Sequence, residues 1–292
     1  MKYFRAHDAF RVVKRKVVTA SALTERHLTM RRLAVAGECA FVSKFRHDLP
    51  HKLIVSLTSY PPRFPHLHLT LRCLLSQRVC ADQVVLWVSY DDFPLLPEKV
   101  LELKAYGLQI NQCSDIRSYK KIIPALDRYK DCFIAIADDD AYYPPGWLEQ
   151  ITNAWQSRSN EIVCHRAHKI RLNSDGLPLP YSCWDWVTKT KYRSTLLFPT
   201  GVGGVLYPPG ALDPRVVDEA LFLDLCPTAD DIWLYWMARL NGKEFKLVDR
   251  PMRRVLTWPH TQEHGLGRVN NGISAANDRQ VENMIDAFGF PG

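Results

Sequence analysis

The sequence contains no apolar run near the ~18 residues of a membrane-spanning helix, so no such span is expected. Its first residues are positively charged but lack a continuous apolar core, which argues against a secretory signal. None of the eight cysteines forms a Cys-x-x-Cys pair, which weighs against a zinc site. They are scattered, and Cys132 and Cys164 fall in apolar runs. They read as buried thiols of a reducing compartment rather than as disulfides. No internal repeat and no low-complexity tract is present, which excludes solenoid and fibrous classes. These absences point to a cytoplasmic protein.

What is present is ordinary for a globular chain: 292 residues, 47% apolar and 24% charged. That length suits one large α/β domain with an appendage, or two small domains. The eight Trp and nineteen Pro are on the high side. The net charge of +7 is unevenly placed. Residues 1–50 hold eleven Lys/Arg against four Asp/Glu, and the remainder holds 27 of each sign. The body is therefore neutral, which argues against nucleic acid as a partner. In the basic arm, Phe10, Val13 and Val17 fall at helical spacing among Arg11, Lys14, Arg15 and Lys16. Two readings stand: a helix touching anionic lipid at the inner face of the membrane, or a solvated helix packed on the body.

From Leu53 the pattern changes to alternating strands and helices. Strands are expected at Leu53–Leu57, Val84–Val88, Leu108–Asn111 and Cys132–Ala137. Helices are expected at 66–77, Pro97–Tyr106 and 119–129, the last despite Pro124. This alternation predicts an α/β fold, a mostly parallel sheet with helices on both faces. Ligands of such sheets bind beyond the carboxyl ends of the strands. Here those ends carry Tyr60, Asp91/Asp92, Asp115 and Asp138–Asp140. Further on, a helix to about 157, a strand at Ile162–His165, a glycine-containing stretch at Phe198–Tyr207, a helix at 229–241 and a strand at Phe245–Val248 are expected. Residues 258–275 read as a loop or lid, and 277–288 as the last helix. The organisation read from this is a helical arm at 1–50, a catalytic domain at 51–257, and a C-terminal loop and helix at 258–292.

The strongest chemical signal is Ile134-Ala135-Ile136-Ala137-Asp138-Asp139-Asp140, an apolar strand delivering three carboxylates to its exposed end. Adjacent carboxylates repel unless solvated or neutralised. A divalent ion with oxygen ligands, Mn²⁺ or Mg²⁺, is the natural partner, and it can stabilise a diphosphate leaving group. A polar turn without a ligand is the plainer reading. A second acid pair, Asp230-Asp231, opens the helix at 229–241. It suits a general base, but Thr228-x-x-Asp231 also has the form of a capping box.

An apolar strand, then Asp-x-Asp, then a turn and helix resembles the GT-A fold glycosyltransferases. It is similar above all to the family-two-like bacterial enzymes of capsule and lipopolysaccharide synthesis, over residues 52–250. The resemblance implies a GT-A, Rossmann-like fold and transfer of a sugar from a nucleoside diphosphate-sugar, of which a UDP-sugar is the first choice. The acceptor would be a hydroxyl of a glycan or lipid-linked glycan. It implies that Asp138 and Asp140 lie nearest nucleotide and metal, with Asp139 in the variable middle position. Thr58-Ser59-Tyr60-Pro61-Pro62-Arg63 is similar to the nucleotide-base loop, with Tyr60 to stack on the base and Arg63 to reach phosphate. Asp91 or Asp92 would contact the nucleoside, Asp115, Arg117 and Lys120 base and phosphate, and Lys120 or Lys121 would offset diphosphate charge. Asp231, with Asp230 beside it, would be the base of an inverting displacement. A late histidine, His260 or His264, would complete the metal site. Gly203 and Gly204 would border sugar and acceptor, and Trp184, Asp185 and Trp186 would form an acceptor platform, unless they are core. His165, Arg166 and His168, at a strand end, read more readily as structural. Two alternatives remain: a sugar nucleotidyltransferase, whose early glycine-rich loop this sequence lacks, and a non-catalytic glycan-binding or scaffold protein.

Overall fold

The structure is a computed structural model and describes residues 45–157, 160–190, 192–252, 255–258, 261 and 276–291. The helix expected around Phe10–Val17 and the candidate ligands His260 and His264 lie outside the described residues, as does most of the 258–275 loop. Phe45–Arg46 pairs in parallel with Val79–Cys80, so this part of the arm is extended rather than helical.

Seven strands form the central sheet: β1 (Leu53–Thr58), β2 (Gln83–Ser89), β3 (Leu108–Cys113), β4 (Phe133–Ile136), β5 (Glu161–Cys164), β6 (Val205–Tyr207) and β7 (Glu244–Leu247). Their order is β7-β5-β6-β4-β1-β2-β3. All neighbours pair in parallel except β6, which runs antiparallel to β4 and β5. The expected α/β fold with a mostly parallel sheet is therefore present. Its central strands are buried on both faces, so they read as continuous apolar runs.

Alternation along each strand feeds two cores. Ile54, Val85, Ile134 and Ile136 face one side, and pack with α3 (Ile123–Arg128), α5 (Glu219–Leu225), α6 (Asp230–Leu240) and α7 (Ala276–Phe288). Leu53, Val55, Leu57 and Ala135 face the other, against α1 (Phe64–Leu75), α2 (Glu98–Leu101) and α4 (Trp147–Ala154). Helix α6 is apolar nearly all round, and Ile232 through Ala238 are all buried between the sheet and α7. Each large side chain so buried contributes about 1.5–3 kcal/mol.

Two local differences from the sequence reading have clear causes. The expected helix over 119–129 is split into a 3-10 turn at Arg117–Lys121 and α3. The break falls at Ile122, and Pro124 occupies the first turn of α3, where a missing N–H costs no bond. Helix α5, absent from the reading, is started by Asp218, whose carboxylate accepts the Leu221 N–H at 3.1 Å.

Candidate functional site

The sheet register sets the site. Ser56 of β1 lies opposite Ile136 of β4, so the chain leaves both strands side by side. Beyond them opens a cleft of about 530 Å³. Tyr60, Arg63, Asp115, Lys120, Lys121, Asp138, Asp139 and Asp230 are among the residues lining it.

The middle aspartate is the most tightly held of the three. Asp139 accepts from Ser59 Oγ and from Arg63 Nη1, each at 2.5 Å, and its carbonyl accepts from Thr70 Oγ1 at 2.9 Å. Burial pushes its carboxyl up against the opposing pull of Arg63. Arg63 Nη1 also lies 3.2 Å from Asp140 Oδ2. Asp140 is buried, and that burial raises its carboxyl to about 7 despite Arg63. Its carbonyl accepts the N–H of Trp258 at 3.0 Å, so the start of the C-terminal loop is fastened behind the motif. Ser59 and Arg63, expected to meet nucleotide, line the cleft and also brace the aspartates from the β1 loop.

Asp138 faces a lysine. Lys121 Nζ lies 3.0 Å from Asp138 Oδ1 and 2.9 Å from Asp230 Oδ2, and so ties the end of β4 to the start of α6. Burial works against the charge on Lys121, but Asp138, Asp230 and Asp231 hold it protonated. The Ser56 hydroxyl donates to the Lys121 carbonyl at 2.6 Å and fixes that backbone on β1.

Asp231 is partly buried on the first turn of α6, and its Oδ1 accepts the Gly201 N–H at 2.9 Å. The capping box does not form: the N-cap is Ala229, with no side-chain cap. Gln280 of α7 accepts instead from the N–H groups of Thr228 and Ala229, at 2.9 and 3.0 Å. Burial, then the Asp230 charge, pushes the Asp231 carboxyl up to about 7. Those effects outweigh the helix-terminal field, which favours the carboxylate.

At the far end of the cleft, Lys120 pairs with Asp115, which also accepts the Arg117 N–H at 3.1 Å. The hydrogen bond from Lys120 holds the Asp115 carboxyl below its ordinary range. Tyr60 stands with the Arg63 guanidinium 5.7 Å from its ring centre. Asp92 lines the cleft, whereas Asp91 is exposed and is not among the lining residues. Lys121, Arg117 and Ser118 also line it. The pattern Asp115-x-Arg117-x-x-Lys120-Lys121 was the signal for them, though it did not single out Lys121.

The five carboxylates Asp138, Asp139, Asp140, Asp230 and Asp231 exceed the charge that Arg63 and Lys121 supply. In charge and donor type, that excess fits a hard divalent cation. Among the described residues, no group of three His, Cys, Asp or Glu forms a ready ligand set. A metal held by Asp138 and Asp140 would therefore need other oxygens, such as those of a diphosphate.

Of the residues expected to meet the acceptor, Trp184 is buried against Tyr181 and Phe198, with Nε1 bonded to the Leu179 carbonyl at 2.8 Å. Core packing engages it, while Trp186 is 46% exposed and Asp185 is also exposed. Gly204 has φ +97°, and a Cβ there would meet the Trp147 indole at 2.5 Å. Trp147 Nε1 donates to the Gly203 carbonyl at 2.8 Å, so this turn is packed to its backbone. His165 Nε2 bonds the Trp147 carbonyl at 2.8 Å, and His168 Nδ1 accepts the Val187 N–H at 3.0 Å. Burial lowers them to about 4 and about 3, which leaves both neutral near pH 7. The seven described cysteines are free thiols.

No family model matches the chain, and no curated protein matches it. Three of the solved structures it resembles are distant. One is the inositol-1-phosphate CTP transferase from T. maritima, with 12% identity, TM-score 0.43, and coverage of 82% of this chain and 98% of that one. Another is GalNAc-T7 crystallised with UDP, GalNAc and Mn²⁺, with 12% identity, TM-score 0.44, and coverage of 68% and 42%. A third is glucosyl-3-phosphoglycerate synthase from Mycobacterium tuberculosis, in complex with Mn²⁺, UDP and phosphoglyceric acid. It shows 11% identity, TM-score 0.44, and coverage of 80% and 79%. At these identities and scores the likeness says nothing of this chain's substrate.

Proposed function

We propose that this chain is a metal-dependent glycosyltransferase that moves a sugar from a nucleoside diphosphate-sugar to a hydroxyl acceptor by a single inverting displacement. The observation that carries the reading is the Lys121 bridge. It ties Asp138 to Asp230, some 90 residues apart in sequence, so that Asp138 and Asp139 of the one motif and Asp230 of the other line one cleft, with Asp140 and Asp231 next to them in the chain.

The cleft divides by chemistry. The end with Tyr60, Asp92, Asp115 and Lys120 suits a nucleoside, with an aromatic face, acids for ribose or base, and a cation for phosphate. Asp138 and Asp140 would hold Mn²⁺ or Mg²⁺, which supplies charge neutralisation for the leaving diphosphate. Asp231 takes the proton of the acceptor hydroxyl as its oxygen bonds to the anomeric carbon. The bond from that carbon to the diphosphate oxygen breaks, and its electron pair leaves with the diphosphate. A carboxyl raised to about 7 is matched to such work near neutral pH.

The test is a thermal-shift screen of nucleoside diphosphates and triphosphates, with and without Mn²⁺. A Mn²⁺-dependent rise with one diphosphate, lost in Asp140→Ala, is expected. A response to a triphosphate alone would turn the reading to nucleotidyl transfer. No response in folded protein would leave a glycan-binding role.

A further inference from the structure

Beside Asp231 lies a cation that the displacement does not use. The strand Ala167–Lys169 pairs antiparallel with Leu197–Pro199, which sets Arg166 opposite Thr200. The Thr200 N–H donates to the Arg166 carbonyl at 3.0 Å, and Arg166 Nη1 donates to Thr200 Oγ1 at 2.7 Å. The next residue, Gly201, gives its N–H to Asp231. Two consecutive residues thus hold the base and this guanidinium. Gly203 presses on the same side chain, for a Cβ there would come within 2.5 Å of Arg166 Cβ.

The other cations buried or half-buried around the cleft have carboxylates. Arg63 meets Asp139 and Asp140, Lys120 meets Asp115, and Lys121 meets Asp138 and Asp230. Arg166 has no carboxylate partner among the described residues, only the Thr200 hydroxyl. Arg166 is half-buried: burial disfavours its charge and the Asp231 charge favours it, but no carboxylate lies within ion-pair distance of it among the described residues.

A second group points the same way. Tyr181 is packed in place by Trp184, Trp186 and Phe198, with ring centres 4.6, 5.6 and 5.9 Å away. Its ring is only 9% exposed, and its hydroxyl makes no hydrogen bond among the described residues. Asp231 and Arg166 both act on that hydroxyl by charge. Tyr181 packs on Phe198, two residues before the Thr200 that holds Arg166, so the guanidinium and the phenol are both anchored to the strand that leads to Gly201 and the proposed base.

We infer that the acceptor is itself an anion, a hydroxylated molecule with a carboxylate or phosphate close to the reacting hydroxyl, held by Arg166 and Tyr181. This rests on the glycosyltransferase reading and specifies its acceptor class. A guanidinium binds an oxyanion with two parallel N–H bonds, and that would fix the hydroxyl against Asp231. A neutral acceptor would give the half-buried Arg166 no anion in exchange for its remaining water, which gives the site its discrimination.

Calorimetry on protein saturated with its nucleoside diphosphate and Mn²⁺ tests this, with inorganic phosphate, acetate and glycerol as probes. The nucleotide is saturated so that phosphate cannot report on the donor end. Phosphate or acetate should bind and glycerol should not, and whichever anion binds more tightly names the group. Arg166→Met should weaken anion binding at least tenfold and leave the nucleotide affinity unchanged. Arg166→Lys, which keeps the charge, should be intermediate, and it serves if the Met variant does not fold. Tyr181→Phe should weaken the anion by a smaller factor. No anion binding by the nucleotide-bound wild type, or equal binding by the Arg166 variants, would overturn the inference. Failure of any nucleotide to bind would instead overturn the glycosyltransferase reading.

Discussion

The Asp231 carboxylate accepts the Gly201 main-chain N–H at 2.9 Å, although it sits where a helix-capping acid would be expected. The start of α6 is served by Gln280 instead, and Asp231 is left to the glycine turn. There, burial and Asp230 push its carboxyl up to about 7.

A pH limb follows. As pH falls through about 7, Asp231 takes up a proton and can no longer accept one from the acceptor. The value of kcat/KM should fall about tenfold per pH unit below that point. An unshifted aspartate would leave the profile flat from pH 5 to 8. Stability of the ligand-free protein runs oppositely. Between the ordinary carboxylate range and about 7 the folded state binds the extra proton, so stability from this group falls as pH rises. Melting curves at pH 5.5 and 8 should differ less in Asp231→Asn than in the wild type.

The middle aspartate should behave as a structural residue. Asp139→Ala leaves the partly buried Arg63 without its 2.5 Å partner and strips the acceptor from Ser59. Breaking such a pair costs about 3–5 kcal/mol. Asp138→Ala, at a side chain 25% exposed, should cost less stability and more donor affinity. Denaturant melts and nucleotide titrations of the two variants separate the roles.

Lys121→Met should lower stability by about 3 kcal/mol or more, since it leaves Asp138 and Asp230 facing each other without their shared cation. Urea melts give the value, and an unchanged midpoint would deny the bridge.

Gly204→Ala meets two obstacles, a φ of +97° and a Cβ 2.5 Å from the Trp147 ring. The strain alone is on the order of 1–3 kcal/mol, and Gly210→Ala, with φ +64° and nothing within 4 Å, gives the conformational part separately. A larger loss at Gly204 in melting experiments would show the contact with Trp147.

Much of the fold could be read from the sequence, because apolar runs ending in polar residues mark buried strands of a parallel sheet. The runs at β1, β2 and β4 placed Tyr60, Asp92 and Asp138–Asp140 at one edge, and the structure joins Tyr60, Asp92, Asp138 and Asp139 in one cleft, with Asp140 buried behind them. The direction of β6 was not legible, since a three-residue buried strand has the same pattern in either orientation. Nor was the exposure of neighbouring tryptophans: Trp184 enters the core while Trp186 stays at the surface. Tyr181 packs on Phe198, close in the chain to the Gly201 that bonds Asp231, and no local spacing records that packing. Lys121 looked equivalent to Lys120 in sequence, yet consecutive positions of the 3-10 turn point apart, and the fold meets Lys120 with Asp115 and Lys121 with Asp138.

The most direct measurement compares wild type and Asp231→Asn for affinity to the nucleoside diphosphate-sugar and for transfer of its sugar. With Asp231 as the base, the variant should bind donor with the same Kd and lose transfer by at least about a hundredfold, the lower end of what a general base contributes. Transfer at the wild-type rate by a variant that binds donor normally would contradict the assignment of Asp231, and with it the displacement proposed for this site.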